Sequence, residues 1–136
     1  MKDQRAKSYP AHKQPAIRLV MMPRDTNALG TIFGGVILSY IDLAAATEAH
    51  VYHPGKLVTV AFDQVEFKQP VFVGDLVSLF TETLHVGRTS LTVGVSVWAQ
   101  RASDRESTVH VTEGRVTLVA VDESMKPTPI VKRVAH

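Results

Sequence analysis

The stretch that decides the fold is residues 34–53, which read GGVILSYIDLAAATEAHVYH. Apolar residues fill most of these positions without the strict alternation of a strand, a pattern that predicts a helix apolar over most of its circumference. We expect this helix to begin at Gly34 and to end near Tyr52, because Pro54 and Gly55 do not continue a helix. Such a helix must be buried on nearly every side.

The segments around this helix favour strands. A short apolar run, residues 17–22, ends at Pro23, and four longer runs rich in Val, Thr and Phe follow the helix at residues 57–67, 76–86, 90–101 and 107–121. In the last run the apolar residues change phase across Gly114, which predicts a bulge or a bend there.

These elements predict an α+β architecture, in which an antiparallel sheet of about five strands wraps one long helix. One small sheet cannot cover a helix that is apolar all round. We therefore expect at least a homodimer, with the sheets joined edge to edge or the helices facing one another.

Length and composition favour one ordinary globular domain, since the chain has 136 residues, of which 45% are hydrophobic and 21% charged. We divide it into a flexible arm (residues 1–15), the domain (residues 16–122) and a tail (residues 123–136). The absence of cysteine excludes disulfides, cysteine nucleophiles and thiolate metal sites.

Charge and hydropathy exclude two classes of partner. The formal charge of +2 is far from the basic stripe that nucleic-acid binding requires. Asp42 and Glu48 interrupt the best apolar run, so no membrane span is predicted. The first fifteen residues contain no apolar core of a secretory signal, and a cytoplasmic location is expected.

Asp42 is the first candidate for chemistry, because it lies in the middle of the apolar helix and no Lys or Arg of that helix can pair with it. The ordinary alternative is an exposed helical aspartate. A carboxylate beside apolar surface is costly unless it has a role, and a general base or a nucleophile would explain it.

The second candidate is the loop at residues 26–35, TNALGTIFGG, which leads into the helix. Free N–H groups at Gly34 and Gly35 would form a site for an anion or a developing oxyanion. The alternative is plain turn chemistry with helix capping. From Gly34 to Asp42 is 42 − 34 = 8 residues, or about 12 Å along a helix. Both groups can act on one substrate only if they come from different subunits, and catalysis would then require the dimer.

Weaker candidates follow. Arg88, Thr89 and Ser90 occupy a tight turn that could hold phosphate or amide groups, although a solvated hairpin tip explains them as well. His50 and His53 have no third ligand nearby, so helix-end electrostatics is the better interpretation than a metal site. Trp98 marks a subunit contact, a ligand wall or simple packing.

Three strings of residues resemble the hotdog-fold acyl-CoA thioesterases of the YciA type. They are MPRDTNALGTIFGG at residues 22–35, Ile41-Asp42, and FKQPVFVGD at residues 67–75. The resemblance extends from about residue 17 to residue 122. It implies a long helix wrapped by an antiparallel sheet, and a dimer with one continuous sheet that assembles further into a trimer of dimers, a hexamer.

The resemblance also implies an activity and roles for residues. The family hydrolyses acyl-CoA to a free carboxylic acid and coenzyme A, without a metal or another cofactor. Asp42 corresponds to the catalytic acid, acting as general base or nucleophile, and Asn27 to its partner from the opposite subunit. Gly35, with Gly34, corresponds to the amide that polarises the thioester carbonyl, and residues 88–90 (Arg88, Thr89, Ser90) to positions that contact coenzyme A.

The sequence departs from the family in one respect and leaves two alternatives. Ala44-Ala45 stands where many relatives have Gly-Gly, which bears on the room for an acyl chain beside Asp42. A hotdog hydratase or dehydratase would use a histidine, and the nearest on the helix, His50, is two turns away. A non-catalytic acyl-CoA sensor would bind the same ligand without turning it over.

Overall fold

The computed structural model describes residues 8–131. Five strands and one long helix follow one another as β1 (Ile17–Val20), α1 (Gly34–Ala49), β2 (Leu57–Phe67), β3 (Leu76–Val86), β4 (Ser90–Gln100) and β5 (Thr108–Ala120). All strand pairs are antiparallel and form one sheet in the order β1-β3-β4-β5-β2. The predicted α+β architecture is confirmed. In the part of the chain described, no helix has the length and apolar character needed to cross a membrane.

The core lies between α1 and the concave face of the sheet. The residues of α1 that are buried recur every three or four positions and are Ile37, Ile41, Ala44, Ala45 and Ala49. They pack in one cluster with the inward side chains of the sheet, which include Leu79, Leu91, Val93, Val95, Val97, Val116 and Leu118. Along β4 the core residues Leu91, Val93, Val95 and Val97 alternate with less buried residues, so this strand has one face toward the core and the other outward.

One face of α1 remains uncovered in the single chain. Leu43 is 56% exposed, and Ser39 and Thr47 on the same side are exposed as well. The edge strand β2 also presents apolar side chains to solvent, with Val60 56% and Phe62 44% exposed. The sequence predicts that this helix is buried on nearly every side. The chain's own sheet buries only one of its faces.

Two element ends differ from the prediction by two or more residues, whereas β4 differs from it by one residue at one end and β5 by one residue at each end. β1 ends at Val20 because its pairing with β3 becomes irregular at Met21: the Met21 N–H still donates to the Asp75 carbonyl at 3.0 Å, but the Met21 carbonyl accepts from the Gly74 N–H at 2.9 Å. Met21 itself is 1% exposed. The regular helix ends at Ala49 and continues to Tyr52 only as tight turns, in which the Tyr52 N–H donates to the Ala49 carbonyl at 3.0 Å.

The irregularity predicted at Gly114 lies beside it. Gly114 itself stays in register with Val95 of β4, whereas the neighbouring strand β2 bulges opposite it, with Gln64 at a φ of 54°. A Cβ on Gly114 would stand 2.9 Å from the Val65 side chain, so glycine makes room for this bulge. The change of phase within β5 occurs near Val111, where its pairing with β4 shifts.

Both terminal segments contact the sheet where the structure describes them. The Tyr9 hydroxyl accepts a hydrogen bond from Arg18 at 2.8 Å, and its ring lies edge-on to Phe80 and Trp98. Trp98 is buried on the outer face and stacks on His110 at 4.6 Å between ring centres. Residues 1–7 and 132–136, parts of the predicted arm and tail, lie outside the described residues.

Candidate functional site

The loop before α1 closes on itself through backbone hydrogen bonds. Thr26 and Ile32 form an antiparallel bridge, and the Asn27 N–H donates to the Thr31 carbonyl at 2.8 Å. At the end of the loop, the Phe33 N–H donates to the Asp25 carbonyl at 2.8 Å. These hydrogen bonds therefore fix the conformation of the loop and the position at which α1 begins.

The Asn27 side chain organises this loop. Its Oδ1 accepts the N–H groups of Leu29 at 2.8 Å and Thr31 at 3.2 Å, and its Nδ2 donates to Thr31 Oγ1 at 2.9 Å. An amide nitrogen has two hydrogens, so one N–H of Asn27 remains to be donated. The residue identified by resemblance as a catalytic partner thus also holds the loop together.

No described side chain caps the backbone N–H groups at the start of α1. The N-cap residue, Phe33, makes no side-chain hydrogen bond, and the N–H groups of Gly34 and Gly35 donate to no other described residue. Side-chain capping, one alternative weighed for this loop, is therefore absent here. The first turn of a helix carries a partial positive charge, so these two amides can bind a negatively charged oxygen.

Two of the recognised strings meet at this point. The Ile32 N–H donates to the Val71 carbonyl at 2.8 Å, and the Phe67 ring lies 3.7 Å from where a Cβ on Gly34 would stand. Between them is a cavity of about 290 Å³, bordered by Lys68 and Gln69. Its lining is otherwise Gly34 and the apolar residues Ile32, Ile37, Phe67, Pro70, Val71 and Val111.

The end of the string at residues 67–75 is held by a buried ion pair. Asp75 is 1% exposed, and its Oδ2 accepts hydrogen bonds from Arg101 Nη1 at 2.6 Å and from the Phe72 N–H at 2.9 Å. The Arg101 guanidinium also lies 4.9 Å from the centre of the Phe72 ring and donates to the Pro70 carbonyl. Asp75 therefore fixes the loop that borders the cavity.

Asp42 lies on α1 at the edge of its buried face and is half-buried. Thr59 of β2 donates its hydroxyl to Asp42 Oδ1 at 2.5 Å. In residues 8–131 the other carboxylate oxygen, Oδ2, has no hydrogen-bond partner, and no Lys, Arg or His pairs with it. The ordinary alternative of an exposed helical aspartate does not describe this environment.

Thr59 was not found from the sequence. It faces the core side of β2, in register with Leu118 of β5, and the pairing shifts at Val60 immediately after it. Bulges of this kind re-aim the side chains beside them. Thr59 comes two residues after the apolar Leu57, so both side chains lie on the same face of the predicted strand. This alternation is the one sequence signal that could have placed Thr59 next to the helix.

A second carboxylate of the same helix is bound differently. Glu48 accepts a hydrogen bond on each oxygen, from the hydroxyls of Thr81 at 3.0 Å and Thr83 at 2.8 Å, both on β3. The sequence marked Glu48 only as a polar interruption of an apolar segment. In the structure it fastens the C-terminal half of α1 to the sheet.

The turn at residues 88–90 joins β3 to β4 at the other end of the sheet from Gly34. Its backbone is fixed by bonds to the C-terminal segment and to the end of β5: the Ile130 N–H donates to the Arg88 carbonyl at 2.8 Å and the Ala120 N–H to the Thr89 carbonyl at 2.9 Å. The Arg88 side chain is exposed, while Thr89 and Ser90 are half-buried. The guanidinium of Arg88 pairs with no described residue.

His50 and His53 are both engaged with backbone. His50 Nδ1 lies 3.2 Å from the His53 carbonyl oxygen, and the Val131 N–H donates to Nδ1 of the buried His53 at 3.2 Å. Within the described part of the chain, no group of three or more His, Cys, Asp or Glu residues could hold a metal ion.

The predicted site residues thus fall into separate groups within one chain. Asn27, Gly34 and Gly35 lie together at the start of α1, Asp42 lies about two turns along the helix, and the turn at residues 88–90 lies at the far end of the sheet. Asn27 and Asp42 share no hydrogen bond in the chain.

Comparison with known proteins places the chain in a family. It matches the thioesterase superfamily over residues 29–104. The acyl-CoA thioester hydrolase YciA of Salmonella typhimurium is 35% identical over 116 residues, which cover 84% of this chain and 87% of that protein.

Solved structures agree. A hexameric hotdog-fold thioesterase of Campylobacter jejuni is 45% identical with a TM-score of 0.82, over 87% of this chain and 90% of the other. An acyl-CoA hydrolase of Staphylococcus aureus, solved with butyryl coenzyme A and coenzyme A, is 27% identical with a TM-score of 0.77, over 85% and 70% of the two chains. With this sequence match, this fold and this helix-borne acid, the chain belongs to the thioesterase superfamily and has the hotdog fold.

Proposed function

We propose that this protein hydrolyses acyl-CoA thioesters to a carboxylic acid and coenzyme A, at a site shared between two subunits. One subunit supplies Asp42, and the other supplies Asn27 and the amide of Gly35, assisted by that of Gly34. The hydrolase names of the relatives support the reaction, and the geometry of these residues supports their roles.

The observation that carries the proposal is the state of Asp42. Its carboxylate has one oxygen held by the Thr59 hydroxyl and the other without a partner in the described chain, on a helix whose neighbouring residues are apolar. A free carboxylate oxygen in a half-buried position is suited to take a proton from water or to attack a carbonyl carbon.

The helix start supplies the complementary group. As the thioester carbonyl is attacked, negative charge develops on its oxygen, and the uncapped Gly35 N–H is positioned to donate to it. Asn27 has one N–H left to orient the attacking water or Asp42. Breaking the carbon–sulfur bond then releases coenzyme A as the thiol, while the oxygen from water stays in the carboxylic acid.

Distance requires that the two groups come from different subunits. Along α1, Gly34 and Asp42 are about 12 Å apart, too far to act on the same carbonyl. The uncovered side of α1 around Leu43 and the apolar edge of β2 at Val60 and Phe62 are suited to pack against a second copy. We propose a dimer, assembled into a hexamer as in the Campylobacter jejuni relative.

We place the two ends of the substrate on either side of the carbonyl. The mostly apolar cavity beside Gly34, with a volume of about 290 Å³, would receive the acyl chain. Arg88, Thr89 and Ser90 would contact coenzyme A. In this reaction no metal or other cofactor takes part, since water, the carboxylate and the amides supply the chemistry.

The test is the release of coenzyme A thiol from acyl-CoAs of graded chain length, followed with a thiol reagent. The protein contributes no background, because it contains no cysteine. We expect wild type to release coenzyme A and Asp42→Asn to lose nearly all of this activity while keeping its assembly. Tight binding of acyl-CoA without release would contradict the proposal and favour the non-catalytic sensor.

A further inference from the structure

We propose that the segment at residues 126–131, named here the strap, positions the turn at residues 88–90 for the coenzyme A end of the substrate. The inference rests on the proposed function, because it concerns how this turn holds its ligand. The strap acts on substrate affinity through the Arg88 backbone and does not touch the reacting atoms.

A tight turn after β5 reverses the chain and begins the strap. Asp122 Oδ1 accepts the N–H groups of Ser124 at 2.8 Å and Lys126 at 3.0 Å, and the Asp122 N–H donates to the Lys126 carbonyl at 2.8 Å. Farther along, the Thr128 N–H donates to the Ala120 carbonyl at 2.8 Å. These bonds hold the strap beside the end of β5, next to the turn that joins β3 to β4.

The strap bonds directly to that turn. The Ile130 N–H donates to the Arg88 carbonyl at 2.8 Å, although the two residues are 130 − 88 = 42 positions apart in sequence. The bond within the hairpin itself runs from the Gly87 N–H to the Ser90 carbonyl at 2.7 Å and leaves the Arg88 carbonyl free for the strap. The Ile130 side chain packs against the core. The orientation of the Arg88 peptide therefore depends on a distant segment of the chain.

A buried histidine anchors the last residue of the strap. The Val131 N–H donates to His53 Nδ1 at 3.2 Å, and the His53 side chain is buried. The His53 N–H in turn donates at 3.0 Å to the carbonyl of Ala49, the last residue of α1. The strap is thus fastened to the end of the helix on one side and to the turn on the other.

This arrangement matters because the nucleotide end of coenzyme A carries phosphate groups. A guanidinium binds phosphate through parallel hydrogen bonds, and the exposed Arg88 side chain pairs with no described residue. A backbone that is fixed beforehand lowers the cost of ordering this side chain on binding. Within residues 8–131, no hydrogen bond joins the strap to Asn27, Gly35 or Asp42. We therefore expect the strap to affect KM and to leave kcat unchanged.

The chain offers a matched pair of proline substitutions. Ile130→Pro removes the N–H that donates to Arg88. Glu123→Pro is its control, because the Glu123 N–H donates to no described residue and its ion pair with Lys56 is exposed. Glu123 is also the second residue of a tight turn, in which the Met125 N–H donates to the Asp122 carbonyl, and proline is favoured at that position.

Two further variants separate the bond from the packing. Ile130→Ala keeps the N–H and shortens the side chain. Val131→Pro removes the N–H that donates to His53, at a side chain that is exposed and contributes little packing.

The experiment measures kcat and KM for two substrates with the same acyl group, the coenzyme A thioester and the pantetheine thioester, which lacks the nucleotide. Thermal unfolding and native mass spectrometry check the fold and the assembly. We expect Ile130→Pro to raise KM for the coenzyme A thioester about 3- to 10-fold, the effect of one lost hydrogen bond, with kcat unchanged. Its constants for the pantetheine thioester should equal those of wild type. Arg88→Ala should show the same selectivity, and Val131→Pro a weaker form of it.

The controls decide between this inference and a general loss of structure. Glu123→Pro and Ile130→Ala should keep KM close to that of wild type. A folded Ile130→Pro with the wild-type KM would overturn the inference, and Val131→Pro provides the same test if Ile130→Pro does not fold. An equal rise in either control, an equal loss with the pantetheine thioester, or an unchanged KM in Arg88→Ala would overturn it as well. Wild type that hydrolyses neither thioester would instead refute the proposed function itself.

Discussion

Two carboxylates on one helix, Asp42 and Glu48, lie in contrasting environments. Glu48 has a threonine hydroxyl on each oxygen and contacts β3, whereas Asp42 has one hydroxyl, from β2, and an oxygen without a partner in the described chain. The two residues are six positions apart and both are half-buried. Neither is paired with a cation in the described residues.

The difference separates a structural acid from a reactive one. A carboxylate whose two oxygens are both satisfied gains stability from its contacts and has little to offer a substrate. One that is held on a single side keeps an acceptor for water at a fixed angle. The number of hydrogen-bond partners on each carboxylate oxygen therefore distinguishes Asp42 from Glu48. Burial does not distinguish them, because both are half-buried on the same helix.

The largest effect should come from neutralising each acid in turn. We expect Asp42→Asn to lower kcat roughly 10²- to 10⁴-fold, the usual contribution of a general base, with fold and assembly unchanged. Glu48→Gln should stay within about threefold of wild type, because it alters no reacting group. Side-by-side measurement of coenzyme A release checks both, and comparable losses in the two variants would erase the distinction.

The next effect concerns the amide at the helix start. Gly35→Pro removes the N–H but is compatible with the first turn of a helix, and we expect kcat to fall roughly 10²- to 10³-fold. Gly35→Ala is its control, because it adds a Cβ and keeps the N–H. That Cβ would stand 2.7 Å from the Phe33 ring, which is 57% exposed and free to move. Equal activity of the two variants would count against the oxyanion role.

A smaller effect is expected on stability. Thr83→Val leaves one Glu48 oxygen without its donor, and should lower the free energy of unfolding by about 1 kcal/mol, since the site is only half-buried. Chemical denaturation measures this change. A variant as stable as wild type would mean that the Glu48 contacts do not fasten the helix, and the structural role assigned to Glu48 would then be withdrawn.

The smallest effect concerns the alanine pair that bears on the room for an acyl chain. Ala44 and Ala45 are fully buried in the core against the chain's own sheet. Replacing either with glycine should cost about 1 kcal/mol of stability through helix propensity. We expect the acyl-chain profile of coenzyme A release to stay unchanged, and a shift toward longer chains would show that these positions do border the substrate.

Much of the fold could be predicted because its signals are local. The apolar run of residues 34–53, the turn signals and the alternation in β4 each depend on neighbouring residues, and the predicted strands agree with those observed to within one or two residues. The bulges were harder to place. The phase change near Gly114 arises from Val111 in β5 and from a bulge in β2, and pairing between strands is not visible in one segment.

The site was predicted less completely for the same reason. The isolation of Asp42 from any cation of its helix and the glycines at residues 34–35 are visible in the sequence, and the resemblance to known thioesterases gave Asn27 its expected role. Thr59 could not be found, because its contact with Asp42 depends on the register of β2 and the bulge at Val60. The double use of the Asn27 side chain in its own loop was likewise hidden.

The central claim is that the site is shared between subunits, and the most direct measurement mixes two inactive variants. Asp42→Ala and Asn27→Ala are purified separately, allowed to exchange subunits, and assayed for coenzyme A release once native mass spectrometry shows hybrid dimers. A shared site predicts recovery of about a quarter of the wild-type rate, because half of randomly paired dimers carry one intact site of two. No recovery despite proven exchange would contradict the account.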